Sequence, residues 1–527
     1  MADRRQKKIT LTPELKATMA QNVEAHKAQH TKPATTCNCS LSLDDMIQAA
    51  SEKENGAAYV FNLLMRNRFV CVRSGPRMEW FTYCDGVWRK DVLDEPMRQF
   101  DAVRDEFLKF ADAVQEQIAD AVRGGERDKQ TRLTTTRDQL VRAATALNGW
   151  AYRKKALEAS ASGEGWLVRD GAIWDTPAYT LPCKNGIVNL RKLEKGNHFR
   201  KAEPEDYVCS TTNVEYNPNA TCPIWESFLL STFDEDKGLI HHLQKIIGYS
   251  VCHDPKEHKL FIFYGRGRNG KSVFMETIQN ILGKLTATIE QGLFLDSGRK
   301  KQAGGASPEK LQLRGKGLCV CSELNAQSRL DVANVKNLTG GDTIAARALY
   351  SPHVEEFKPS HTLVLLTNHL PKASSDEYAF WKRVQAIPFK LSFVDNPQAE
   401  HERHIDKDLP AKLENEYSGI LNWIIQGAAA WQKEGLGEMP ASVESATKEY
   451  QRSEDILQDF LDECCTEQRG VRTSNKILHG AYCDWCKGMN MHPMSSKAFS
   501  KSLKDKGIQH VTPHKTLYFV GLALTSD

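Results

Sequence analysis

The sequence predicts an α/β fold with a P-loop core, and three observations predict it. Four apolar or aromatic residues, Phe261–Tyr264, run into the glycine-rich segment Gly265–Ser272, and Val273–Leu282 then carries apolar positions at helical spacing. Two further apolar runs, Gly317–Glu323 and Leu363–Asn368, each end in a polar side chain, as strands do when they deliver a functional group to a sheet edge. Near the carboxyl terminus, helical patterns are followed by the strand-like Lys515–Gly521, the outline of a winged helix.

The segment Gly265–Ser272 fits G-x-x-x-x-G-K-[ST]. Glycines let backbone N–H groups close around phosphate oxygens, and the helix N-terminus adds a favourable dipole. Gly265, Arg266, Gly267, Arg268, Asn269, Gly270, Lys271, Ser272 and Val273 are therefore the candidate nucleotide-binding residues. Lys271 is expected to reach the β- and γ-phosphates and the Ser272 hydroxyl to hold Mg²⁺, so ATP and Mg²⁺ are the expected cofactors. A glycine-rich turn that binds nothing is the competing reading, and strand, loop and helix in register argue against it.

Length and composition bound the rest. A chain of 527 residues has room for about three or four domains. With 40% hydrophobic and 26% charged residues it is an ordinary globular composition. A net charge of +3 is too small to argue for nucleic acid by itself, so any basic surface must be local. No apolar run approaches a membrane span, and the opening Met-Ala-Asp-Arg-Arg-Gln-Lys-Lys has no apolar signal core. The 14 cysteines are scattered, several within apolar runs such as Leu318–Cys321, which suits a reducing compartment.

In chain order, residues 1–45 read as a disordered polar tail, and Cys37-Asn-Cys39 lacks a second pair at zinc-like spacing. Residues 46–205 read as an α/β region, with a hairpin about Asp85-Gly86, helices at 95–123 and 130–157, and a strand-rich unit that includes Asn185–Leu190. Residues 206–256 read as a helical connector and 257–400 as the core. Within the core Glu323 is a candidate for polarising an attacking water, and Asn368 for hydrogen-bonding that water or the γ-phosphate. Arg383 precedes the strand-like Val384–Phe389, where a guanidinium could reach a neighbouring subunit's nucleotide; an ordinary surface arginine is the alternative. Residues 401–450 read as a helical extension. The last segment, 451–527, has helical patterns from 453, at 474–487 and at 495–506, with Lys497, Lys501 and Lys504 on one face for backbone phosphates, or simply solvated. Cys483-Asp-Trp-Cys486 has redox or zinc spacing, but lies in a helical pattern and reads as core packing.

Gly340–Tyr350, Phe357-Lys-Pro, Leu365–Pro371 and Trp381–Phe389, in that order, resemble superfamily 3 helicases, most of all the phage, plasmid and poxvirus primase-helicase type. Lys184–Leu190, Glu203–Tyr207 and Cys222–Trp225 resemble the segment that precedes the helicase core in that family. The resemblance implies an AAA+ core, a parallel sheet flanked by helices, assembled as a hexameric ring. It implies that Glu323 is the Walker B acid, acting on Mg²⁺ through water, Asn368 the sensor and Arg383 a finger acting in trans. It also implies a pore hairpin within Arg347–Phe357, with Arg347, His353 and Lys358 as DNA contacts. Implied partners are single-stranded and forked DNA and further copies of the chain, with a separate primase or polymerase left open. The implied location is the cytoplasm of a bacterial host, without membrane. No zinc-ribbon or acidic-triad primase module is evident, so the resemblance leaves priming activity open. Lys382 stands where many relatives carry Arg, and no role is carried to it.

A replicative DNA helicase and a nucleotide-gated DNA-binding initiator or scaffold are the two competing functions. A small-molecule kinase shares the phosphate loop but leaves Glu323, Asn368, the Arg383 segment and the terminal module unexplained.

Overall fold

The computed structural model describes residues 41–74, 77–162, 167–170, 174, 177–296, 307–322, 328–349, 353–373, 377–489 and 491–525. The chain divides into two units, 1–171 and 172–527.

In the first unit, strands β1 (Phe69–Ser74), β2 (Arg77–Cys84), β3 (Val87–Lys90) and β4 (Val168–Asp170) form a sheet in the order β3-β2-β1-β4. The β2–β3 hairpin turns on Asp85 and Gly86, both at positive φ (52° and 82°), the backbone an Asp-Gly turn supplies. Helix Leu43–Ser51 starts at a capping box: Asp45 N donates to Ser42 Oγ (3.1 Å) and Ser42 N to Asp45 Oδ2 (3.0 Å). Helix Phe100–Arg123 buries Phe100, Val103, Phe107, Ala111, Val114 and Ile118, an i, i+3, i+4 stripe. The helix expected over 130–157 is instead two, Arg127–Ala146 and Trp150–Ser160. The chain breaks at Leu147–Gly149, where Arg153 Nε donates to the freed Leu147 carbonyl.

The second unit opens with an antiparallel sheet of β5 (Thr180–Cys183), β6 (Gly186–Asn189) and β7 (Phe199–Arg200). The division at 171 thus falls inside the segment 46–205. The reason is packing: Leu181, Val188 and Leu190 share one core with Trp225, Phe261 and Phe274.

The central sheet contains β8 (Leu260–Tyr264), β9 (Thr286–Thr288), β10 (Leu318–Ser322), β13 (Thr362–Thr367) and β14 (Val384–Pro388) in the order β14-β8-β13-β10-β9. Every neighbouring pair is parallel. Numbered in chain order within this sheet, the strands lie 5-1-4-3-2. Both faces are covered, so the strands are apolar throughout. Phe261, Phe263, Leu318, Val320 and Val364 enter one core, while Leu260, Ile262, Cys319, Cys321, Leu363 and Leu365 enter the other. Between β10 and β13, β11 (Ile344–Ala346) and β12 (Glu355–Phe357) pair antiparallel as a separate hairpin. After β14, β15 (Ser392–Val394) and β16 (Glu402–His404) pair in parallel.

Helices Tyr417–Glu434 and Ala441–Ser453 lead to a terminal module: helix Ile456–Cys464, β17 (Cys465–Ser474), helices Asn475–Gly488 and Ser496–Asp505, β18 (His510–Val511) and β19 (Tyr518–Leu524). Its sheet order is β17-β19-β18. Leu457, Phe460, Leu478, Tyr482, Phe499 and Phe519 close a small core of its own. No described helix is long and apolar enough to cross a membrane.

Candidate functional site

Parallel strands deliver their C-terminal ends to one edge of the sheet. Tyr264 of β8 stands in register with Thr367 of β13, so the residues that follow, Gly265 and Asn368, leave the sheet side by side. β10 ends at the same edge, with Ser322 paired to Leu366. Glu323 lies outside the described residues.

The loop fits its glycines. A Cβ on Gly265 would stand 2.3 Å from the Phe389 carbonyl oxygen and 2.4 Å from Asn269 Nδ2. Gly270 caps helix Lys271–Leu282 at φ 83°, a left-handed backbone that favours glycine. Arg268 takes φ 61° without being glycine, a conformation that must be held in place by its surroundings. Phe393 N donates to the Arg268 carbonyl (2.7 Å), and Asn269 Nδ2 to the Phe389 carbonyl (3.3 Å), so the strap after β14 braces the loop.

Lys271 is buried, and its Nζ donates to the Gly265 carbonyl (2.6 Å), Asn269 Oδ1 (3.1 Å) and Asn368 Oδ1 (3.4 Å). Burial pushes its ammonium down to about 8. An ammonium surrounded by neutral oxygens is a site for an anion, whose charge would restore the usual protonation range. Ser272 is exposed beside it at the first turn of the helix, as are Arg266 and Arg268 on the loop, and Val273 is half-buried. The structure therefore brings together the loop, Lys271, Ser272 and Asn368.

It does not bring Arg383 to them. Arg383 precedes β14, and its carbonyl accepts from Leu260 N (2.8 Å), which fixes it at the opposite edge of the sheet. Five residues of β8 at roughly 3.3 Å each separate the two edges. Arg383 Nε and Nη1 are buried and have no hydrogen-bond partner among the described residues. Lys382 and Lys259 stand beside it; Lys259 Nζ donates to the Lys382 carbonyl (2.8 Å). Burial lowers the Lys259 ammonium; the Glu257 carboxylate opposes that shift, and the charges of Lys382 and Arg383 add to it. Lys259 was not singled out from sequence, although its place directly before β8 is the available signal.

The β11–β12 hairpin carries the remaining core candidates. Arg347 directly follows β11 and is half-buried, its backbone exchanging bonds with Ser307 (Ser307 N to the Arg347 carbonyl, 2.9 Å). His353 is exposed before β12 and Lys358 is exposed just after it. Leu349 and Val354 are exposed on the same hairpin, at 59% and 56%. In the terminal module, Lys497, Lys501 and Lys504 are exposed while Phe499, Ser502 and Leu503 are buried, so the three lysines do share the outer face of their helix. Cys483 faces His479 (Sγ to Nε2, 3.6 Å), whereas Cys486 is buried in the module's core. No group of three or more metal-ligating side chains occurs among the described residues.

The sheet and loop together define an α/β protein with a phosphate-loop sequence at the carboxyl edge of a parallel sheet. Family profiles match three stretches: one described as D5 N terminal like over residues 58–234, a family of unknown function (DUF5906) over 263–383, and one described as Poxvirus D5 protein-like over 452–512. The chain is 28% identical over 301 residues to a provisionally named helicase, L207/L206, of Acanthamoeba polyphaga mimivirus, covering 54% of this chain and 30% of that protein. It is 21% identical over 461 residues to a provisionally named primase, C962R, of African swine fever virus (isolate Tick/Malawi/Lil 20-1/1983), covering 81% of this chain and 46% of that protein. The chain thus spans less than half the length of these curated relatives. An apo structure of the NrS-1 C terminal region covers 89% of this chain and 99% of its own at 9% identity and a TM-score of 0.45, a likeness too slight to carry an argument. The resemblance to the poxvirus-like primase-helicase type is shown by these matches.

Proposed function

We propose that the chain is an ATP-dependent DNA helicase for replication of a DNA virus or other mobile element. On this reading it is an AAA+ motor that works as a ring, taken here as a hexamer, with a winged-helix module at its carboxyl end. The single observation that carries the proposal is the meeting of Lys271 with Asn368 at the carboxyl edge of a parallel sheet ordered 5-1-4-3-2. That arrangement supports a phosphate loop facing a sensor on the adjacent strand. The names of the relatives add support for DNA replication.

The loop residues Gly265–Ser272 would hold the phosphates, with Lys271 on the β- and γ-oxygens. Mg²⁺, when bound, supplies neutralisation of developing phosphate charge, and the Ser272 hydroxyl, with Glu323 through water, would hold it. Glu323 would take the proton of the attacking water and Asn368 would orient that water. Arg383, too far from its own loop, would complete the site of a neighbouring copy. Arg347, His353 and Lys358 on the hairpin would grip the strand, and Lys497, Lys501 and Lys504 would meet duplex phosphates.

The test is the ATP hydrolysis rate with and without single-stranded DNA, with Lys271→Ala as the blank. Stimulation by DNA that disappears in the variant is the expected result. Hydrolysis indifferent to DNA would favour a nucleotide-gated initiator or scaffold, and no hydrolysis above the blank would overturn the motor reading.

A further inference from the structure

The β5–β7 sheet has two unlike faces. Leu181, Cys183 and Val188 point into the main core, while the alternate residues Thr180, Pro182, Ile187 and Asn189 line a cavity of about 220 Å³. The segment 205–210 closes this cavity from the other side. That segment is pinned rather than loose. Both terminal nitrogens of Arg200 donate to the Asp206 carboxylate (2.7 and 2.5 Å), Glu203 N donates to it as well (2.8 Å), and Thr212 N donates to the Pro182 carbonyl (2.9 Å).

Two features of the lining ask for a ligand. Tyr207, whose φ of 48° is the left-handed cap of the short helix Pro204–Asp206 with its N–H on the Pro204 carbonyl (3.2 Å), contributes its ring. His198 bonds the Tyr216 hydroxyl through Nε2 (2.7 Å), yet its Nδ1 is buried without a partner among the described residues. The rings of Trp174 and Tyr207 meet edge to face, 6.2 Å apart, on the same cavity. Arg200 and Asp206 pair with each other there, and Lys192 and Glu205 add one charge of each sign at the exposed side of the lining. The lining therefore suits a flat group without net charge and with hydrogen-bonding edges, and the volume is below the roughly 300–1,000 Å³ of a whole drug-sized ligand. Lys192 of the lining is exposed, as are its sequence neighbours Lys195 and Lys201; over residues 191–206 five cations stand against four carboxylates, Glu194, Glu203, Glu205 and Asp206, the last paired with Arg200. Phe199 of β7, between Lys195 and Lys201 in sequence, is 37% exposed.

We propose that this cavity is a subsite for one base of single-stranded DNA, with the strand's phosphates on Lys192, Lys195 and Lys201. Cations that track a backbone beside an aromatic-walled pocket for a base are the parts from which single-strand sites are built. The site is independent of the phosphate loop and stands whether or not the chain hydrolyses ATP.

The test is photocrosslinking of the full chain to an oligonucleotide containing 5-iododeoxyuridine, followed by peptide mapping. Crosslinks are expected within residues 174–210. Ile187→Trp, which fills the cavity, should lower that yield at least about fivefold while leaving crosslinks elsewhere unchanged. If that variant does not fold, Asn197→Ala at an exposed lining position decides in its place, with the same loss expected. Wild-type crosslinks found only elsewhere, or an undiminished yield in the folded variant, would overturn the proposal. So would free 5-iododeoxyuridine labelling the same peptide as strongly as the oligonucleotide, which would make this a nucleoside pocket.

Discussion

The two edges of the central sheet carry opposite kinds of cation. At the carboxyl edge, Lys271 is enclosed by oxygens from its own loop and from the next strand, Gly265, Asn269 and Asn368. At the amino edge, Arg383 has two buried nitrogens without a partner among the described residues, and Lys382 and Lys259 beside it are also cations, offset only in part by the Glu257 carboxylate that acts on Lys259. A buried donor left unpaired is costly, and a cluster of like charges adds to the cost. The lysine at the carboxyl edge thus finds its partners within the chain, whereas the arginine at the amino edge leaves two nitrogens without one among the described residues. An anion brought by a second copy would satisfy both the geometry and the charge. On the function proposed above, that anion is the neighbour's nucleotide.

The sharpest way to break this contrast is to remove each cation in turn. Arg383→Ala should lower ATP hydrolysis by about 10³–10⁵ while leaving nucleotide affinity of the isolated subunit unchanged. Lys271→Ala should lose nucleotide binding itself. Mixed assemblies of the two variants should regain part of the hydrolysis, because each supplies the edge the other lacks. Loss of binding in Arg383→Ala, or no recovery on mixing, would return Arg383 to the status of a surface arginine.

The next effect concerns the strand that joins the edges. Phe263 of β8 is fully buried, 6.0 Å from the Phe274 ring and 5.7 Å from Phe389. Phe263→Ala should cost about 3–5 kcal/mol and be read as a lower urea midpoint. It should also loosen the strap that braces the loop, so nucleotide affinity should fall with stability. Unchanged affinity in the folded fraction would show that the carboxyl edge is organised locally, without the strand's core.

A third set of cations sharpens the comparison from outside the sheet. Lys497, Lys501 and Lys504 are exposed and solvated, unlike Arg383. Replacing all three with Ala should leave ATP hydrolysis without DNA intact. The salt dependence of duplex binding should become shallower by up to about 0.9 per lost phosphate contact in the log–log slope. An unchanged slope would leave these lysines as a solvated face.

These regions differ in how far their chemistry was legible in the sequence. The phosphate loop at the carboxyl edge was readable because its signals are consecutive: four apolar residues, spaced glycines, a lysine, then a helix; its meeting with Asn368, 97 residues on, is tertiary. The Asp85-Gly86 turn and the outward lysines of helix Ser496–Asp505 are local in the same sense. The separation of Arg383 from Lys271 was readable only in part: Arg383 precedes a strand and Lys271 follows one, but that the two strands are parallel neighbours, which puts the residues at opposite edges, is a tertiary fact. β17 (Cys465–Ser474) was missed for another reason. Its residues are mostly polar and exposed, and it is held by backbone pairing with β19 rather than by an apolar face. The sheet β5–β7 was assigned with the preceding helices because chain proximity, not the shared core with Trp225, is what a sequence displays. The role of Glu323 rests on sequence alone.

The smallest predicted effect tests the charge at the carboxyl edge directly. Burial holds the Lys271 ammonium at about 8 in the chain without nucleotide, so it is charged below that pH and neutral above it. A polyphosphate favours the charged form and must raise the value on binding. Binding above pH 8 therefore takes up a proton. ATP affinity should be flat from about pH 6.5 to 7.5 and then weaken by up to about tenfold per pH unit until the raised value is passed. Lys259 at the opposite edge should contribute nothing to this profile in the isolated subunit, so Lys259→Ala should leave it unchanged. A profile that Lys259→Ala alters, or one that stays flat through pH 9.5, would mean that the ammonium meeting the phosphates is not the buried Lys271.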